Sequence, residues 1–223
     1  GYPRSIQVLY DRANSVTARL EPAAMDWDAA FDGARWFHFS GITPALGPSL
    51  PDITLEACRA ARERGLTVSC DLNYRGKLWT PERARQVMGT LLPYVDIVIA
   101  SEDEIETILG IRGAGEGAAR MADIGAKVCG QMDISALSVM ERRETAAETA
   151  WQCFLNIHGR LYASKDYRFK PVDPMGAGDA YCAGLIYALS EDYAPQRAVE
   201  FAAAAGCLKH TIAGDANLAI KEE

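Results

Sequence analysis

PVDPMGAGDAYCAGLIYAL, residues 171–189, decides how this chain reads. Small residues and an aspartate stand directly before an apolar run with helical spacing. A helix N-terminus leaves backbone N–H groups unpaired and carries partial positive charge. Gly176, Ala177 and Gly178 would let a phosphate come close to those amides, which makes the turn a candidate anion site. Asp179 is the odd member, because a carboxylate beside a phosphate repels it unless the carboxylate has a task. A fitting task is to accept the proton of an attacking hydroxyl while a phosphoryl group is transferred. The plainer alternative is a tight turn whose Asp179 is favoured by the helix dipole. For a lone G-x-G-D pattern, that alternative is the better reading.

The neighbouring sequence alternates strand and helix patterns. Ser5–Tyr10, Arg35–Ser40, Leu66–Leu72 and Asp96–Ala100 read as strands. DIVIA, residues 96–100, is a short continuous apolar run, as expected in a sheet covered on both faces. Trp27–Asp32 reads as a helical turn and Pro51–Arg64 as an amphipathic helix closed by Gly65. A further helix begins at Pro81 behind a Thr80 cap, and another spans Glu102–Leu109. A helix is expected near 116–125, a strand at Ile134–Met140, and antiparallel strands over Trp151–Lys170 with a turn at His158-Gly159. Helices over 177–190 and 195–211 close the chain. The rhythm predicts an α/β fold: one doubly wound, mostly parallel sheet with helices on both faces. Residues 1–223 form a single domain in this reading, without repeats or an internal linker.

Composition narrows the class. Of 223 residues, 49% are apolar and 24% charged, and the formal net charge is −7. A chain gripping nucleic acid through phosphates is normally basic, so that partner is set aside. No apolar stretch is long enough for a membrane span, and no signal peptide is evident. The six cysteines form no C-x-x-C pair and sit mostly in apolar runs, which fits reduced core thiols and a cytoplasmic location. The three histidines form no zinc pattern. GAGEGA, residues 113–118, fits a dinucleotide fingerprint, but a helix rather than a strand precedes it, so it reads as a loop.

Arginines follow two strand ends, in Tyr10-Asp11-Arg12 and in DLNYR, residues 71–75. Ligands of open α/β sheets sit beyond the carboxyl ends of strands, and guanidinium suits a carboxylate or phosphate. Arg75 is therefore placed for an anionic group, with a structural salt bridge or a solvated loop arginine as the equally weighted alternative.

Taken together, the segments resemble a family. DPMGAGDA (173–180) is similar to the second signature of the ribokinase-like (PfkB) carbohydrate kinases. VLYDRANS (8–15), GARWFHFSGITPAL (33–46), DLNYRGKLWTPE (71–82) and CLKHTIAGD (207–215) resemble more specifically the 2-keto-3-deoxygluconate kinases. The resemblance implies a ribokinase-like fold, with a further N-terminal stretch ahead of Gly1 and lid strands over part of residues 1–20. It implies an ATP-dependent sugar-acid kinase that phosphorylates the 6-hydroxyl of 2-keto-3-deoxygluconate with Mg²⁺. Asp179 matches the family's general base, and Gly176, Ala177 and Gly178 its anion hole. Tyr10, Arg12 and Arg75 match positions that contact the sugar acid, as does Asp179. Glu104 matches the acidic position that acts on the metal through water, with Ser101 where the family usually has Asn. SVMERRET (138–145) stands where relatives carry a nucleotide-binding Thr-x-Arg, so Arg142 or Arg143 takes that part. A monovalent cation beside Asp173 and the 207–215 loop is compatible with such a site. The other readings are a kinase for another ketose such as fructose, or a non-catalytic nucleotide or sugar-acid binder. An exposed sheet edge at the N-terminal side predicts a homo-oligomer.

Overall fold

Alternation within β strands, not their total apolar content, sets how this molecule is layered. The computed structural model describes residues 15–22, 25–145 and 148–220. The expected strand Ser5–Tyr10, with Tyr10 and Arg12, lies outside the described residues. Over 15–20 the chain makes a 3-10 turn, Thr17–Arg19; the lid strands expected over part of residues 1–20 fall largely outside the described residues. Ser49 Oγ ties this segment down by donating to the Leu20 carbonyl at 2.6 Å.

The elements run α1 (Trp27–Ala30), β1 (Trp36–Ser40), α2 (Leu50–Glu63), β2 (Thr67–Asp71), α3 (Pro81–Leu91), β3 (Ile97–Ala100) and α4 (Glu102–Glu104). A π-type turn, Ile105–Leu109, continues α4. Then follow α5 (Gly117–Met132), β4 (Ala136–Glu144), β5 (Thr149–Ile157), β6 (Arg160–Ala163), β7 (Tyr167–Phe169), α6 (Ala177–Ser190) and α7 (Pro195–His210). The seven strands of the described residues join one sheet in the order β1-β2-β3-β4-β5-β6, with β7 also on β5. β1 to β4 are parallel, and β5 runs antiparallel to β4, β6 and β7.

β3 is buried at all four positions because the sheet is covered twice. Val98 and Ala100 pack with α2, α3 and α5, through Ala57, Met88 and Ile124 among others. Ile97 and Ile99 point the other way, onto Tyr181 and Leu185 of α6 and Val199 of α7. Period-two alternation thus feeds two cores from one strand. Each fully buried aliphatic side chain contributes roughly 1.5–3 kcal/mol to these cores.

Local chemistry agrees with most expected boundaries. Thr80 Oγ1 accepts from Arg83 N at 3.3 Å, with Pro81 at the first helical position. His158 and Gly159 both take positive φ, 53° and 71°, as a two-residue hairpin turn requires. GAGEGA is a loop whose last two residues open α5. Two elements are longer than expected. α5 continues to Met132 because buried Met121, Ile124 and Val128 keep the helical spacing. β4 continues to Glu144 through the charged run Glu141–Glu144, which pairs with Thr149–Gln152 although its exposed side chains carry no apolar alternation.

Candidate active site

The N-terminus of α6 is built to stay open. Its N-cap is Gly176, in the left-handed region at φ +77°, and no side chain caps the helix. A Cβ at Gly176 would run into the Asp215 carbonyl oxygen, so glycine is needed for space as well as for conformation. Gly178 is the opposite case, since a Cβ there would meet nothing within 4 Å. Upstream, the Asp173 carboxylate accepts from Met175 N and Gly214 N, both at 3.0 Å, and these amides hold it below the usual carboxylate range. The glycine turn is thereby braced against the loop that follows α7.

Ala177 and Gly178 open onto a cavity of about 420 Å³. Ser101, Glu102 and Asp103 line it from the β3 end, and Arg142 and Arg143 from β4. Arg142 pairs with Glu144 at 3.2 Å, and Arg143 reaches Asp166 at 2.8 Å. Asp179, one residue beyond Gly178, is exposed to solvent and makes no ion pair among the described residues.

A second group of charges gathers where β2 and β3 end. Asp71, the last residue of β2, is buried. Burial, then the negative charges of Glu104 and Asp179, push its carboxyl up to about 7, against an amide of Asn73 and the charge of Arg75. Glu104 links the two strand ends. Its Oε1 accepts from Tyr74 N at 2.8 Å, and its Oε2 from Ser101 N at 2.8 Å and Ser101 Oγ at 2.9 Å. Ser101 Oγ accepts in turn from Glu104 N, completing a capping box. On β1, His38 Nδ1 lies 2.8 Å from Ser69 Oγ, which also accepts from Trp36 Nε1. Burial lowers the His38 pKa while the Asp179 charge opposes that shift.

The structure therefore brings Gly176, Ala177, Gly178, Asp179 and Glu104 to one end of the sheet. Arg75 is exposed, donates to the Tyr74 carbonyl at 3.1 Å, and stands close enough to act on Asp71. Tyr10 and Arg12 lie outside the described residues. Asp71, His38, Glu102 and Asp103 escape sequence reasoning. Asp71 opens the DLNYR segment, and a strand-end aspartate is the signal that could have found it. Among the described residues, no three His, Cys, Asp or Glu side chains converge to hold a metal directly, and no helix is long and apolar enough to cross a membrane.

Comparison with known proteins bears on the family and the fold. A family model described as pfkB family carbohydrate kinase matches residues 6–132 and 152–221. A 2-dehydro-3-deoxygalactonokinase from Haloferax volcanii is 33% identical over 222 residues, covering 99% of this chain and 65% of its own length. A 2-dehydro-3-deoxygluconokinase from Thermoproteus tenax is 26% identical over 215 residues, covering 96% of this chain and 60% of its own. The chain thus spans less than two thirds of these relatives. The crystal structure of a 2-dehydro-3-deoxygluconokinase from Thermotoga maritima superposes with a TM-score of 0.94 at 42% identity, over 97% of this chain and 66% of that one.

Proposed function

Because this chain belongs to the pfkB family of carbohydrate kinases, we propose that the protein transfers the γ-phosphoryl group of ATP to the 6-hydroxyl of 2-keto-3-deoxygluconate. The observation that carries the reading is the uncapped N-terminus of α6, open to the cavity at Gly178 and followed at once by an exposed Asp179. The amides of Gly176 and Gly178, beside an Ala177 N that already donates to the Pro174 carbonyl at 3.3 Å, hold the phosphoryl oxygens by hydrogen bonding and the helix field. Asp179 accepts the hydroxyl proton as the sugar oxygen bonds to phosphorus and the bond to the ADP oxygen breaks. Arg75 at the end of β2, with Arg12 from the N-terminal segment, meets the substrate carboxylate.

The charges of Glu104 and Asp179, which raise the Asp71 carboxyl, leave negative charge at the strand ends that a divalent cation would offset. Both Glu104 oxygens already accept amide hydrogens, which favours contact through water. When bound, Mg²⁺ would neutralise phosphate charge. Asp103, with Glu102 partly offset by Arg120 at 3.4 Å, keeps the α4 side of the cavity negative, so nucleotide phosphates are directed to the α6 side.

The 33% identity to a kinase named for the galacto-configured substrate favours one further reading, in which both epimers are accepted. The test is ADP release by the full-length protein with 2-keto-3-deoxygluconate, 2-keto-3-deoxygalactonate and fructose. Turnover of the sugar acids well above fructose is expected. Equal use of fructose would overturn the carboxylate contact. Calorimetric binding of ATP and sugar acid without turnover would make the protein a binder.

A further inference from the structure

Lys209 sits in the last turn of α7 and is fully buried, with 0% of its surface exposed. Its ammonium donates to the Ile212 carbonyl oxygen at 3.0 Å and to the Asp173 carbonyl oxygen at 3.4 Å. It makes no ion pair among the described residues. The Asp173 carboxylate feels its charge but is occupied by the amides of Met175 and Gly214. Burying a cation without an anion is costly unless oxygen dipoles replace its water. Here main-chain carbonyls from two loops do so.

Those loops are the ones that shape the glycine turn. Val172 N and Asp173 N both donate to the His210 carbonyl, at 2.7 and 3.1 Å. The Asp215 carbonyl sits against the face of Gly176 where a Cβ would be. Carbonyl oxygens converging from separate loops repel one another unless positive charge lies between them, and such oxygens are what a dehydrated monovalent ion takes as ligands. A lysine ammonium is a compact charge with three donors and meets the same need from within the chain.

We propose that the Lys209 ammonium is a tethered monovalent cation: it bridges segment 172–176 to segment 211–215 and positions the anion-binding turn, so that no dissolved K⁺ or NH₄⁺ is needed there. The role compatible in the sequence with a dissolved ion beside Asp173 is filled by the chain itself. Lys209 is a positioning residue, since its contacts are to main chain and not to a reacting atom. Its effect on turnover rests on the phosphate-binding reading of the turn, whereas its effect on stability does not.

The experiment compares full-length wild type with Lys209→Ala and Lys209→Gln in KCl, NH₄Cl, NaCl and choline chloride at equal ionic strength. Thermal midpoint and the kinetic constants are read for each. Wild type is expected to give the same midpoint and kcat in all four salts. Lys209→Ala in choline should lose about a hundredfold in kcat with little change in the sugar KM, the size of effect that misplacing reactive groups by about 1 Å produces. KCl or NH₄Cl, but not choline, should restore part of both kcat and midpoint. A K⁺-specific gain in wild type would overturn the proposal, and so would a folded Lys209→Ala variant that is impaired equally in every salt or not impaired at all. If Lys209→Ala does not fold, Lys209→Gln and the wild-type salt series still decide. If wild type has no kinase activity, the kinase reading fails while the midpoints still test the bridge.

Discussion

Two helices present their N-termini to the same cavity and are finished in opposite ways. α4 is closed: Ser101 and Glu104 satisfy each other's backbone amides, and Glu102, Asp103 and Glu104 fill the first turn with negative charge. α6 is open: its cap is a glycine, no side chain accepts from its amides, and Gly178 leaves the approach clear. The same backbone field is therefore cancelled at one wall and left available at the other. On the proposed reading, an anion goes to α6 and a cation to the acidic side. Polarity across the cavity comes from capping chemistry more than from net charge, which is negative for the whole chain.

The sharpest way to break this contrast is to neutralise the one carboxylate on the open helix. Asp179→Asn keeps the shape and removes the proton acceptor. It should lower kcat by about 10²–10⁴-fold, the usual contribution of a general base. Circular dichroism and the melting point should stay near wild type, because Asp179 is exposed and makes no ion pair among the described residues. Turnover within a few-fold of wild type would remove Asp179 from the chemistry.

The acidic side should reveal its own repulsion as a function of pH. The Asp71 carboxyl is pushed from the usual 3.8 to about 7 in the folded chain. Between those values the folded protein holds a proton that the unfolded chain has released, so this group's share of stability falls as pH rises. Its full cost at pH 8 is on the order of 4 kcal/mol. Asp71→Asn should therefore raise the unfolding free energy at pH 8 by up to that amount, and by little at pH 4. Mg²⁺ should narrow the gap between variant and wild type at pH 8. A variant less stable than wild type at pH 8 would show that the carboxylate is satisfied there.

The N-terminal turn of the open helix has two glycines that answer differently. Gly176→Ala must place a side chain in the left-handed region and against the Asp215 carbonyl, at a cost on the order of 3 kcal/mol. Gly178→Ala has free space and a helical position, so stability should rise by about 1 kcal/mol. Its methyl group nevertheless stands where the phosphate approaches, and ATP affinity should drop about tenfold. Denaturant melts and nucleotide titration separate the two outcomes. Unchanged nucleotide affinity in Gly178→Ala would place the phosphate elsewhere.

Much of this arrangement was legible because local signals and tertiary structure agree. Pro81 behind Thr80, the His158-Gly159 turn, the apolar run at 96–100 and the glycines before α6 each act within a few residues. The extension of β4 through Glu141–Glu144 was not legible, since exposed charged residues carry no alternation and the strand is held by its partner β5. Asp71 was missed for a related reason. Its unusual state comes from burial and from Glu104 and Asp179, which only the folded sheet brings near. The closed state of α4 is half visible in the sequence: S-E-D-E fits a capping box, but the same Ser101 also stands where the resembling family has a metal-orienting asparagine.

Ser101 gives the smallest effect and the finest test of the contrast. Ser101→Ala removes the acceptor for Glu104 N and the hydroxyl donor to Glu104 Oε2. Loss of an N-cap costs about 1 kcal/mol, and the melting point should fall accordingly. The Glu104 carboxylate would keep its bonds from Tyr74 N and Ser101 N, so the link between β2 and α4 should survive. Ser101→Asn should retain the stability, since asparagine caps as well as serine. If the cap also fixes the Glu104 carboxylate, Ser101→Ala should raise the Mg²⁺ concentration for half-maximal rate while ATP affinity at saturating Mg²⁺ changes little. An alanine variant equal to wild type in both measurements would mean that acidic side chains alone, without the cap, make the two walls different.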